Sequence, residues 1–215
     1  MRNILLGIVL SFALCVVFSC SMSETQKNVQ YAAEFKSNID KFEEKHTGMT
    51  KSLSETVDKT VNQLSDETKP TKEKLADVSQ DWEVSWNDIL NEYESLTEYY
   101  GKIGTSSSQY FQKIDQVTQE IKDNSIRDQE MKRNKGQRKE WDNAYNQAEV
   151  NLKEIGKLLE DGNDFQRLLV LAAMRQQIYN RIEELKQISI SAQELFRRLE
   201  SFTETGRQLL NYDNA

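Results

Sequence analysis

The chain has 215 residues, 35 Asp and Glu against 28 Lys and Arg, and a formal net charge of −7. That acid excess argues against general nucleic-acid binding, which needs a basic face. The apolar share is 37%, and the first twenty residues are far richer than the rest, so the remainder can build narrow helix seams but not a thick core.

Arg2 supplies a short positive n-region, and an apolar run from Ile4 to Phe18 follows it. About 15 apolar residues is the length of a signal-peptide core, whereas a membrane-spanning helix needs roughly 20. The run ends at Ser19-Cys20, with Val17 three positions before the cysteine. This resembles the lipobox of bacterial lipoproteins, in which a small residue precedes a cysteine that takes the lipid and becomes the mature N-terminus. Phe18 is larger than that pattern usually accepts, and the competing readings are an ordinary secretory cleavage nearby or an uncleaved anchor. The resemblance implies a signal peptide at 1–19 and lipid attachment at Cys20; composition and helical period then give a tether over 20–30 and one helical-bundle domain over 31–215. Cys15 would leave with the signal, so the mature chain would hold Cys20 alone and no intramolecular disulfide. A lone cysteine in an oxidising compartment needs an explanation, and lipidation supplies one.

Beyond residue 20 there is one proline, Pro70, and few glycines, in a background of Glu, Lys, Gln, Leu and Ala that favours helix. The first helical stretch runs roughly 24 to 68, with Ile39, Phe42, His46, Met49, Leu53, Val57, Val61 and Leu64 at steps of three and four. Within it, SMSETQKNVQ (21–30) carries one strong apolar residue and reads as tether. Pro70 marks the first break, because the residue before a proline is pushed out of the helical region and proline suits a first helical turn. A second helix follows over about 71–100, faced by Leu75, Val78, Trp82, Trp86, Ile89, Tyr93, Leu96 and Tyr100. GKIGTSSS (101–108) reads as the second break, with two glycines and a choice of serine caps.

The next helix is counted as 106–160, with KRNKGQRK (132–139) either a turn or an exposed middle. EDGND (160–164) reads as the third break, with Gly162 ending one helix and Asn163 or Asp164 starting the next. The last helix spans about 164–210, and LLVLAAM (168–174), its most apolar part, is expected deepest. Short breaks favour antiparallel neighbours. The expected fold is therefore all-α: an elongated antiparallel bundle of four long helices with coiled-coil-like seams, or five if 132–139 is a turn.

Few residues carry chemistry. Glu43 and His46 have the carboxylate–histidine spacing of di-iron bundles, but that site needs two such motifs, and His46 is the only histidine. GKIGTSSS lacks phosphate-loop spacing and has no strand before it. No cysteine or serine has a plausible histidine base, so no catalytic residue, metal site or cofactor is assigned, and the chain reads as a non-enzyme.

Two features remain as candidate contacts. Trp82, Trp86, Tyr93 and Tyr100 form an aromatic stripe, either core or a groove for a partner helix or glycan. Lys132, Arg133, Lys135, Arg138 and Lys139 put five positive charges into eight residues of an acidic chain. They form either a solvated stretch or a contact for anionic lipid, envelope polymer or an acidic partner. The whole loosely resembles helical, coiled-coil-rich envelope lipoproteins of unknown function. That resemblance implies a structural or protein-interaction module in the bacterial cell envelope, held to a membrane through Cys20, on the outer membrane where the cell has one. It also implies an unidentified protein partner and no nucleic acid. The rival is a ligand-binding module for an anionic envelope polymer or an apolar ligand.

Overall fold

The computed structural model describes residues 24–66, 71–175 and 182–211. They form four helices: α1 (Glu24–Ser65), α2 (Thr71–Gln119), α3 (Asn124–Arg175) and α4 (Ile182–Asn211). No strand occurs among the described residues, so the chain is an all-α, four-helix bundle. At about 1.5 Å rise per residue, the 52 residues of α3 span roughly 78 Å.

The helices form a ring of neighbours, α1 on α2, α2 on α3, α3 on α4 and α4 on α1. Diagonal pairs meet through long side chains, as where the Phe35 ring of α1 sits 4.9 Å from Trp141 of α3. One continuous apolar core runs along the axis. On α1 it takes Phe35, Ile39, Phe42, Met49, Leu53, Val57 and Leu64, with His46, Thr56 and Thr60 buried in the same rows. Steps of three and four keep these on one face, as a helix of 3.6 residues per turn requires.

Cross-helix pairs run in opposite numerical order. On α1 and α2, Asn38 meets Ser106, Ser52 meets Glu92, and Lys59 meets Asp81. On α2 and α3, Trp86 meets Leu159, Tyr93 meets Leu152 and Tyr100 meets Tyr145.

The helix ends have identifiable caps. The buried Lys74 ammonium reaches back to the carbonyls of Leu64 and Asp66, neutralising acceptors that the end of α1 leaves without partners. Asp123 caps α3, its Oδ1 accepting from the amides of Ser125 at 2.8 Å and Ile126 at 3.0 Å.

Several boundaries differ from the sequence reading. α1 begins at Glu24, so residues 24–30 are helix rather than tether. GKIGTSSS lies inside α2 and EDGND inside α3, and neither breaks its helix. KRNKGQRK is interior to α3, which leaves four helices rather than five. The real α2–α3 connection is at 120–123, and the stretch expected as one helix over 164–210 is divided between α3 and α4. LLVLAAM is not the deepest segment: Leu169 and Ala172 are buried, but Leu171 is 41% and Met174 75% exposed.

The glycines explain why GKIGTSSS and EDGND do not break their helices. A helix-interior glycine costs about 1 kcal/mol relative to alanine, which packing can offset. At Gly162 a methyl group would overlap the Trp86 ring, and at Gly104 it would overlap the Tyr145 hydroxyl. These glycines are slots beneath rings from the neighbouring helix. The serines of GKIGTSSS satisfy themselves within α2: Ser106 Oγ donates to the Lys102 carbonyl at 2.9 Å and Ser107 Oγ to that of Gly104 at 3.1 Å.

Candidate functional site

The aromatic stripe of α2 packs along α3. Trp82 and Trp86 stack at 4.7 Å and 13°, and are 0% and 1% exposed. Each donates its indole N–H to a carbonyl of α3, Trp82 to Gly162 at 3.2 Å and Trp86 to Leu159 at 3.3 Å. One heptad on, the Tyr93 hydroxyl donates to the Leu152 carbonyl at 2.9 Å. A further heptad on, Tyr100 and Tyr145 stack at 4.3 Å, and each hydroxyl donates to the other's carbonyl, at 3.0 and 3.3 Å. A helical carbonyl has a second lone pair free for such a donor.

Gly156 leaves room for the Tyr93 hydroxyl, as Gly162 does for Trp86 and Gly104 for Tyr145. Burial pushes the Tyr93, Tyr100 and Tyr145 hydroxyls above their usual range, so they stay protonated donors. A groove for a helix or glycan would need open rings. Here Trp82 and Trp86 are closed between α2 and α3, and Tyr93 and Tyr100 are half-buried with their hydroxyls already engaged.

His46 is buried where α1 faces α4. Its Nε2 donates to the Phe196 carbonyl at 3.0 Å, and its ring meets that of Phe196 edge-on at 5.4 Å. Burial holds its pKa below the usual histidine value, against smaller upward contributions from that hydrogen bond and from Glu200. It is a neutral bundle residue in the seam row of α1, not a solvated one.

The basic segment lies on the outer side of α3. Lys132, Lys135 and Lys139 are exposed at steps of three and four, so they make one stripe, and none has an acidic partner among the described residues. Arg133 reaches Glu130 at 3.8 Å. Arg138 is instead part of the packing: it pairs with Asp115 at 2.7 Å and lies over the Phe111 ring. Asp115 also accepts from Asn134, whose amide donates to Thr118 at 3.0 Å in a buried polar cluster assembled from residues of two helices and not foreseeable from local spacing.

This segment sits at the end of the bundle where α1 begins. Asn28, Val29 and Ala32 of α1, Tyr110 to Thr118 of α2, Glu130 to Gln137 of α3, and Leu209 and Leu210 of α4 surround a cavity of about 390 Å³. A second groove of about 440 Å³ lies between α3 and α4 toward the far end, floored by Leu158, Phe165, Leu168 and Ile188 and edged by Asp161, Asp164 and Glu183. Cys20 and residues 1–19, the segment expected to be a signal peptide, lie outside the described residues. Among the described residues no cluster of His, Cys, Asp and Glu could hold a metal ion. No helix among them is long and apolar enough to cross a membrane. In comparisons with protein-family models, curated proteins and solved structures, nothing matches this chain.

Proposed function

We propose that the chain is a lipid-anchored, non-enzymatic protein of the bacterial cell envelope: an antiparallel helical bundle, with coiled-coil-like seams, that presents its surface to a protein partner. The observation that carries this reading is a convergence. α1 starts four residues after Cys20, and its first turns share one bundle end with the basic segment of α3 more than a hundred residues away. A lipid on Cys20 would bring that end, and its lysine stripe, to a membrane surface. Anionic leaflets attract such residues by about 1 kcal/mol each.

The antiparallel arrangement is supported by cross-helix pairs that rise along one helix as they fall along its neighbour. Heptad spacing of the ring-to-carbonyl bonds supports the seams. The non-enzymatic reading is supported by donors already engaged in structure: both indoles of the stripe, its tyrosines and the single histidine all bond backbone carbonyls.

The test is detergent phase partition and intact mass of the full chain from cells. Wild type is expected in the detergent phase with a diacylglycerol mass, and Cys20→Ser in the aqueous phase or unprocessed. Each buried CH₂ contributes about 0.8 kcal/mol, so two or more acyl chains give stable anchoring. Wild type recovered wholly from the aqueous phase without added mass rejects the anchor.

A second reading is favoured by the unpaired lysines: the stripe binds an anionic polymer or headgroup layer directly. Replacing Lys132, Lys135 and Lys139 with Gln, while leaving the structural Arg138 in place, should abolish salt-sensitive binding to anionic vesicles or cell-wall sacculi in a Cys20→Ser background. Unchanged binding rejects it.

A further inference from the structure

The cavity at the α1-start end has the chemistry of a ligand site. Its apolar wall is Val29, Ala32, Ile114, Val117, Leu209 and Leu210. Val29 is 63% and Val117 42% exposed, so apolar surface continues from the wall out to the mouth. Cationic groups lie on one side: Lys113 and Arg133 line it against a single acid, Glu130, and the lysine stripe flanks it on α3. The inner surface is polar but largely satisfied, since Asn134 and Thr118 bond each other and Asp115. Asn28 is the exception. Its Oδ1 is buried without a hydrogen-bond partner among the described residues, and a half-turn of the amide puts the Nδ2 donor in the same place.

We infer that this cavity binds one long acyl chain bearing a carboxylate, a free fatty acid, with the chain along the apolar wall and the head group at Lys113 and Arg133. The volume of about 390 Å³ falls near the small end of the range for ligand sites, roughly 300–1,000 Å³, which suits one chain rather than a two-tailed lipid. The aliphatic residues give the chain a wall to lie on, and the cationic part of the polar lining sets the end at which the head group sits. A guanidinium can hold a carboxylate through two parallel hydrogen bonds. Placement of this mouth at a membrane rests on the proposed anchoring; the binding itself does not.

The experiment uses the full chain in cells fed a fatty acid with a photoreactive group and an alkyne handle, followed by mass mapping of the labelled peptides. Label is expected on peptides bearing Val29, Ile114 and Val117, and not on the α3–α4 groove around Phe165. The Cys20→Ser chain should keep that label, because the cavity does not depend on the anchor. A wild-type chain that is unanchored yet keeps the label would therefore reject the anchor alone.

Val29→Glu with Val117→Glu, both at exposed positions, should remove the label while circular dichroism stays unchanged. Arg133→Gln in the purified full chain should weaken binding of a fluorescent fatty acid about tenfold, equivalent to about 1.4 kcal/mol. Binding of the matching fatty alcohol should hardly change. Label spread evenly over both ends of the bundle, label unaffected by the two glutamates, or equal loss for acid and alcohol at Arg133→Gln would each overturn the inference.

Discussion

The α2–α3 and α1–α4 seams join helices of the same bundle by different means. In α2–α3, rigid rings lie over glycines of the facing helix, Trp86 on Gly162, Tyr93 on Gly156 and Tyr145 on Gly104, and Trp86, Tyr93 and Tyr100 donate to the α3 backbone in successive heptads. In α1–α4 the contacts are softer. Phe42 meets Phe202 edge-on at 5.3 Å, Arg207 reaches Glu43 and Asp40, and His46 makes a single carbonyl bond. Gly206 also faces a neighbour there, but the nearest atom is the Cδ1 of Ile39, the movable end of an aliphatic chain. A ring donor matched to one carbonyl cannot slide along a helix without losing its bond and striking a Cβ. The α2–α3 seam thus fixes register, while the α1–α4 seam supplies mainly burial.

The strongest test of that difference is Trp86→Ala. It removes a fully buried ring and its bond to Leu159, and large-to-small changes of this kind cost about 3–5 kcal/mol. Urea denaturation should show this as a lower midpoint. Combining it with Gly162→Ala should cost less than the sum of the two, since the ring that the new methyl would strike is already gone. Strict additivity would mean that the glycine is not there for the ring.

Next in size is the glycine pair across the two seams. Gly162→Ala forces an indole held by stacking on Trp82 to move, and overpacking of this kind costs about 1–3 kcal/mol. Gly206→Ala asks only Ile39 to change rotamer, with the Trp141 ring 3.1 Å away, and should cost less. Equal losses in thermal melts would erase the distinction between the seams.

His46 sharpens the comparison through pH. Its loss as His46→Leu removes one hydrogen bond, a net effect of about 0.5–1.5 kcal/mol. Because burial lowers its folded pKa, the unfolded chain takes up a proton below about pH 6.5 while the folded chain resists. Wild-type stability should therefore fall as pH drops through 6.5 toward the lowered folded value, and the Leu variant should lack that part of the fall. The α2–α3 tyrosines, raised rather than lowered, should add nothing in this window. An identical acid slope in both proteins would refute the role given to His46.

The seams also show which parts of the fold could be read from sequence. The rows Ile39-Phe42-His46-Met49 and Trp82-Trp86-Ile89-Tyr93 follow from local periodicity, and they are the faces that pack. Pro70 pointed to a break between α1 and α2 because a proline's effect is local, although Pro70 itself lies outside the described residues. Gly104 and Gly162 misled because a glycine ending a helix and a glycine beneath a ring look alike in one dimension. What separates them is the partner, Tyr145 or Trp86, far away in sequence. The α2–α3 turn at 120–123 has neither glycine nor proline, and its local signal is the Asp123 cap. LLVLAAM misled because apolar density was taken for depth, although burial follows the face and leaves Val170, Leu171 and Met174 outward. The cavity could not be foreseen, since its lining comes from all four helices.

The smallest expected effect makes the sharpest contrast, because its two sites are three residues apart. Gly101 and Gly104 both belong to GKIG in α2, and local propensity treats them alike. At Gly101 a methyl group would meet nothing within 4 Å. Gly101→Ala should therefore stabilise by the helix-propensity difference, about 0.5–1 kcal/mol. At Gly104 the same methyl displaces the Tyr145 hydroxyl, which is held by stacking on Tyr100 and by its bond to the Tyr100 carbonyl. The propensity gain is then set against a lost hydrogen bond and a strained ring pair, so Gly104→Ala should destabilise. Opposite signs in parallel denaturation curves would show that neighbouring glycines of one motif do different work, one tolerated on an open face and one required by a ring. If both alanines stabilise, Tyr145 moves aside at little cost, and the α2–α3 seam is as soft at this point as the seam between α1 and α4.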